Sequence, residues 1–170
     1  MSLLHKYLPE VVYGSIDGTV TTFAIIAGAA GAGFSPNIML VLGVSNVLAD
    51  AWSMASSNYL SAKSEAERDG DDHSHHGALA SAFATFVSFV LIGCVPLLSY
   101  IASFAFGIGI GSEFGTAIIL TGLAFIFIGM VRGRIAGVSQ WRAAIETLVI
   151  GAVAAGVAYG VGMFVETIIR

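Results

Sequence analysis

Two acidic side chains occur inside long apolar stretches of the chain, where a carboxylate is costly to bury. Asp17 lies in the first apolar stretch and Asp50 in the second, residues 38–62. A carboxylate at the centre of a bilayer costs about 2.5–3.5 kcal/mol or more, and acids at that depth usually mark a functional site. Carboxylate oxygens suit divalent cations, and the nearby thioether of Met54 favours softer transition metals. Together these donors predict a site for a first-row metal such as Fe²⁺.

The second apolar stretch has one polar side. At about 100° per residue on a helix, its polar and sulfur-containing residues fall within an arc of roughly 120°. They are Asn46, Asp50, Met54, Ser57, Asn58, Ser61 and Glu65. A spanning helix with such a stripe cannot face lipid all round, so the stripe must face a partner helix or a water-filled path. For the amides and serines, simple interhelical hydrogen bonding is the alternative interpretation.

Composition assigns the chain to the integral membrane proteins. Of its 170 residues 56% are hydrophobic and 11% are charged, and its mean hydropathy is +0.88. A soluble domain carries about 25% charged residues. The sequence contains no hydrolase, metalloprotease or nucleotide-binding motif and no nucleic-acid signature. We therefore expect neither an enzyme, nor a nucleic-acid binder, nor a permanently bound cofactor.

The apolar pattern predicts an all-α fold with five transmembrane helices in a single domain, residues 1–170. The predicted spans cover residues 10–31, 38–62, 78–100, 114–131 and 143–168, with a kink at Pro96. Residues 64–77 form a hydrophilic connection.

Lysine and arginine predict the orientation. Lys6, Lys63 and Arg68 flank the first two spans, and three arginines lie in the connection 132–142, whereas the connections 32–37 and 101–113 contain none. The positive-inside rule then places the N-terminus in the cytoplasm and, with five spans, the C-terminus outside. A prokaryotic plasma membrane is the expected location.

Counting from the predicted helix ends gives the depth of each candidate. At 1.5 Å per residue, Asp17 and Met54 lie about 10 Å deep and Asp50 about 16 Å deep. Neighbouring antiparallel helices with a short connection should pack together. We therefore expect Asp17 to lie level with Met54, and Asp50 about one turn deeper.

Two segments resemble the vacuolar iron transporter family. The residues from Tyr13 to Gly33, with their Asp-Gly pair, are similar to the family's first helix. The residues from Ala49 to Glu65, with Ser-Met and the closing Tyr-Leu-Ser-Ala-Lys-Ser-Glu, are similar to its second. The resemblance implies a homodimer of five-helix subunits in the lipid bilayer, with a metal path near the dimer axis. It also implies export of Fe²⁺ from the cytoplasm in exchange for protons. The family's acid and methionine fall on Asp17 and Met54, and Asn46 lies near a glutamate of eukaryotic members.

One departure from the family is large. Well-studied members insert a glutamate-rich metal-binding domain between spans two and three, where this chain has only residues 64–77. Glu65 and Glu67 match the start of that acidic region. Acids and imidazoles in the remaining segment could capture metal at the cytoplasmic mouth. These are Asp71, Asp72, His73, His75 and His76. A solvated charged loop is the alternative.

Two other functions are compatible with acids in the membrane. An intramembrane aspartyl protease would need two carboxylates within hydrogen-bond reach, which the depth offset disfavours. A scaffold or assembly subunit would leave Asp17 and Asp50 unexplained. Two GxxxG pairs, at Gly14 and Gly18 and at Gly156 and Gly160, favour close helix packing.

Overall fold

The computed structural model describes residues 7–69, 75–107 and 112–169, and these ranges contain helices and no strand. We number the helices in chain order. They are α1 (Leu8–Gly31), α2 (Pro36–Asp69), α3 (His75–Gly93), α4 (Leu98–Phe106), α5 (Glu113–Ile135) and α6 (Gln140–Ile169). A 3₁₀ turn, Val95–Leu97, joins α3 to α4.

Five helical segments of the described chain are long and apolar enough to cross a membrane. They are α1, α2, the segment Gly77–Phe106 that contains most of α3 together with α4, α5 and α6. This confirms the prediction of an all-α membrane protein with five spans. The break in the third segment occurs at the buried Pro96, as expected, because proline has no N–H to donate and its ring clashes with the preceding turn.

Helix α1 is the centre of the bundle. It packs most extensively against α3 and α6 and also contacts α2 and α5. Its crossing with α3 is close, since a Cβ atom at Gly18 would lie 2.7 Å from the backbone oxygen of Phe89. Phe89 and Ile26 are fully buried beside this crossing. Small residues on α1 therefore bring its polar face into a fixed position relative to α2 and α3.

Helix α2 continues beyond the predicted end of its span near residue 62. It extends to Asp69, because residues 62–68 contain good helix formers. Lys63 and Glu67 form an i,i+4 ion pair of 3.7 Å on this extension. The start of the hydrophilic connection is therefore helical.

Candidate functional site

An open cavity of about 570 Å³ lies between the start of α1 and the second half of α2. Helix α1 contributes Pro9, Glu10 and Tyr13, and α3 contributes Thr85. The rest of the lining comes from α2. These residues are Ser53, Met54, Ser57, Asn58 and Ser61. Four of the seven stripe residues, all of this list except Ser53, thus face an open cavity.

Asn58 is held in this cavity by α3. Its amide nitrogen donates to the hydroxyl of Ser81 at 3.1 Å and to that of Thr85 at 2.8 Å. Both hydroxyls are buried. Asn58 therefore makes the interhelical hydrogen bonds expected of a membrane asparagine and also lines the cavity.

Glu10 is a candidate that the sequence reasoning did not select. Its Oε1 accepts a hydrogen bond of 2.9 Å from Ser81 Oγ. Its Oε2 is buried and has no hydrogen-bond partner among the described residues. Such an orphan oxygen is costly unless a cation or a proton satisfies it. Glu10 lies seven residues before Asp17, which places both on one face of α1, and that spacing was the available signal.

The two membrane acids form a second part of the site. Asp17 and Asp50 are half-buried and lie close enough to interact electrostatically. Asn46 Nδ2 donates to Asp50 Oδ2 at 2.9 Å, whereas Thr21 donates to the backbone oxygen of Asp17 and not to its carboxylate. Asp17 and Asp50 share no hydrogen bond with each other within the described chain. This arrangement differs from an aspartyl protease dyad, in which the two carboxyl groups share a proton.

The structure brings the candidates together in two places. Met54 shares the open cavity with Glu10 and Tyr13, while Asp17 interacts electrostatically with Asp50.

The described part of the chain supplies few anionic ligands at any one point. Among the described residues, no group of three or more His, Cys, Asp or Glu side chains is placed to hold a metal ion. The carboxylates of the candidate site instead lie in two places: Glu10 lines the cavity, and Asp17 interacts with Asp50. The neutral donors Met54 and Asn58 follow Asp50 at intervals of about one turn along α2.

The predicted capture loop is only partly described. Glu65 and Glu67 lie exposed on the last turns of α2. Asp71, Asp72 and His73 lie outside the described residues. His75 and His76 begin α3, and their side chains lie outside the description.

Replacing Glu10 by Gln tests whether its carboxylate takes part in binding a metal ion. The amide keeps the oxygen that accepts from Ser81 but removes the charge. We expect the apparent affinity for the metal to fall about tenfold, the lower end of what is lost when a supporting ligand is removed. The measurement is the metal concentration that gives half-maximal flux into proteoliposomes.

Glu113→Gln is the matched control for this variant. Glu113 also accepts from a serine hydroxyl, Ser103 Oγ, at 2.9 Å, and it begins α5 away from the cavity. An equal loss of apparent affinity in both variants would contradict a specific part for Glu10.

Comparison with known proteins gives one consistent family. The sequence model of the VIT family matches residues 8–72 and 66–163. Vacuolar iron transporter 1 of Oryza sativa subsp. japonica is 27% identical over 218 aligned positions, which cover 93% of this chain and 85% of the relative. The protein of the same name from Eucalyptus grandis is 26% identical over 219 positions, covering 93% and 86%. The vacuolar iron transporter of Toxoplasma gondii is 49% identical over 59 positions, which cover 35% of this chain and 20% of the relative.

These alignments have more positions than the 170 residues of this chain, so the relatives carry residues that it lacks. The two matches to the family's sequence model overlap at residues 66–72, between the second and third membrane-spanning segments. Since the two matches together cover most of the sequence, the chain belongs to the VIT family.

Proposed function

We propose that this protein exports Fe²⁺ from the cytoplasm in exchange for protons. The observation that carries the proposal is the polar file between α1 and α2. It begins at the cavity with Glu10, Met54 and Asn58. Asp50 lies one helical turn before Met54 on α2 and interacts electrostatically with Asp17. Family membership and the names of the relatives support a metal transporter, and those names specify iron.

The donor types along the file fit a borderline metal ion. Carboxylates offset the cost of removing water from a divalent cation, and the Met54 thioether favours a transition metal over Mg²⁺ or Ca²⁺. Glu65 and Glu67, exposed at the end of α2, would attract cations toward the cavity. His73, His75 and His76, with Asp71 and Asp72, would add to this capture without being required for transport.

Exchange requires a group that the metal and the proton both bind. The carboxylate of Asp17 accepts no hydrogen bond from any described residue, so it is available to either ion. When the metal leaves, a proton can neutralise the carboxylate and remove the cost of a bare charge in the membrane.

A homodimer would complete the site. The cavity is open on one side, and one chain does not gather three anionic ligands within its described part. A two-fold axis beside α1 and α2 would double the pair Asp17 and Asp50 and cover the open side. A closed, polar path would then replace a cleft that faces lipid.

The orientation with the N-terminus inside follows from the basic residues. Ser35 and Ser64 are exposed and lie near opposite ends of α2. In a Cys94→Ala background, a cysteine at position 64 should react with an impermeant reagent from the cytoplasmic side, and one at position 35 from the other. Labelling of both from the same side would contradict this topology.

Metal flux in proteoliposomes tests the proposed function directly. Fe²⁺, Mn²⁺, Co²⁺, Ni²⁺ and Zn²⁺ are compared with and without a proton gradient, using vesicles that lack protein as the blank. We expect gradient-driven flux with Fe²⁺ among the best substrates. Absence of metal flux with folded protein would contradict transport, whereas flux that ignores the gradient would contradict the exchange.

The relatives are named as transporters, which confirms the expectation that the chain is not an enzyme. A scaffold without transport would leave the orphan carboxylate oxygen of Glu10 and the half-buried acids without a role. Metal flux in the same measurement would also exclude the alternative of a scaffold without transport.

A further inference from the structure

A second, apolar cleft lies on the other side of the start of α1. It has a volume of about 340 Å³ and is bounded by the first turns of α1 and the end of α5. Its apolar lining includes Val12, Ile16 and Ile135, and Arg132 is its one charged lining residue. We call it the α1–α5 cleft. Pro9 and Tyr13 line both this cleft and the polar cavity.

The surroundings of the cleft are basic. Arg132 Nη2 bonds Glu146 Oε2 at 2.7 Å, and Arg142 Nε bonds the other oxygen of Glu146 at 3.3 Å. Residues 132–146 thus contain three arginines, with Arg134 the third, and a single acidic residue, Glu146. Within the described part of the chain, Glu146 is the acidic side chain that pairs with Arg132 and Arg142, so the hairpin keeps a net positive charge.

Arg132 retains the capacity to bind an anion beside the cleft. Its recorded hydrogen bonds, to Glu146 and to Ala143 O, both use Nη2. Its side chain is 35% exposed, and a guanidinium carries further donors on Nε and Nη1 in a geometry that suits a phosphate. An apolar slot with a cation at its membrane-surface end matches a lipid with an anionic head group.

We propose that the α1–α5 cleft binds an anionic phospholipid. An acyl chain would lie along Val12, Ile16 and Ile135, and the phosphate would contact Arg132. Exposed aromatic residues at this end, Tyr13 and Trp141, fit the head-group level of a bilayer. Basic sites between membrane helices are known to recognise anionic head groups. Such a lipid would touch Tyr13, which also lines the polar cavity.

Native mass spectrometry of the full chain in detergent tests this proposal. Phosphatidylglycerol and phosphatidylcholine of equal chain length are added in equal amounts, and the ratio of the two adducts is measured. We expect the unmodified protein to favour phosphatidylglycerol. Arg132→Gln should lower the ratio about fivefold, the ratio that corresponds to one cation at an anionic surface.

Arg134→Gln is the matched control, since it removes the same charge from an exposed residue that does not line the cleft; its ratio should be unchanged. Equal effects of the two variants, or equal binding of both lipids by the unmodified protein, would overturn the proposal.

Two further variants test the cleft and the charge of Arg132 separately. Ile16→Trp fills the cleft and leaves Arg132 and Glu146 intact, so adducts of both lipids should fall. Glu146→Gln removes the competing anion, and the phosphatidylglycerol preference should rise. If Ile16→Trp breaks a dimer in the same spectrum while lipid adducts persist, a second copy covers the cleft and the proposal is overturned.

Discussion

Asp17→Asn is expected to abolish proton-driven metal flux in a protein that still folds. Asparagine keeps the size of the side chain, and Asp17 uses its backbone oxygen, not its carboxylate, to accept from Thr21. The substitution therefore removes a charge and disturbs no recorded side-chain hydrogen bond. Without that charge, nothing at this position offsets the dehydration of a divalent ion, and nothing there can exchange it for a proton. Flux per folded molecule should fall to that of empty vesicles.

Asp17→Glu is the matched variant, because it restores a titrating carboxylate with one more methylene. It should recover part of the flux, since the charge returns but its distance to Asp50 changes. Wild-type flux in Asp17→Asn would remove the central claim of the proposed mechanism. Loss of flux in both variants would indicate that the position requires a particular side-chain shape rather than a charge.

The five-span fold could be predicted because each determinant is local. Continuous apolar runs separated by short polar connections predict membrane helices without any knowledge of their packing. The polar stripe of α2 is likewise a property of one helix, and the structure confirms that Met54, Asn58, Ser57 and Ser61 face a common cavity. Helix type and helix face follow from composition and periodicity alone.

The site was harder to predict because it depends on contacts between distant parts of the chain. Glu10 at the start of a span looks like a solvated helix end. In the fold, its Oε1 accepts a hydrogen bond from Ser81, which lies 71 positions away on α3. The proximity of Asp17 to Asp50 depends on the register in which α1 packs against α2, and the periodicity of each helix alone does not give that register.

The two GxxxG pairs also show that contacts between helices cannot be predicted from spacing within one helix. Gly14 and Gly18 and Gly156 and Gly160 have identical spacing, and periodicity cannot tell which pair packs against a helix. In the structure, Gly14 and Gly18 lie against Ser88 and Phe89 of α3. Apart from the backbone of α6 itself, no described residue lies within 4 Å of a Cβ atom built at Gly156 or Gly160. The spacing permits close approach, but only the arrangement of the bundle decides where it is used.

The contrast between these glycine pairs leads to a prediction of a large effect on folding. Gly18→Val should prevent the chain from folding to a monodisperse protein. Its Cβ atom would meet the backbone oxygen of Phe89 at 2.7 Å, and Gly93 of α3 packs against Gly18 in return, its own Cβ position lying 3.1 Å from the Gly18 carbonyl carbon. A backbone atom cannot rotate away as a side chain does, so α1 and α3 would have to separate. Overpacking of this kind costs about 3 kcal/mol or more.

Gly160→Val is the control, since it adds the same side chain at the corresponding position of the other pair. A Cβ atom at Gly160 would point into open space rather than against a described residue. We expect Gly160→Val to keep the yield and the melting temperature of the subunit, measured by size-exclusion chromatography and thermal unfolding in detergent. A normal Gly18→Val protein would show that the crossing of α1 and α3 is looser than the structure has it. The position of Asp17 would then lose its physical basis, because Gly18 is the residue that fixes this part of α1 against α3.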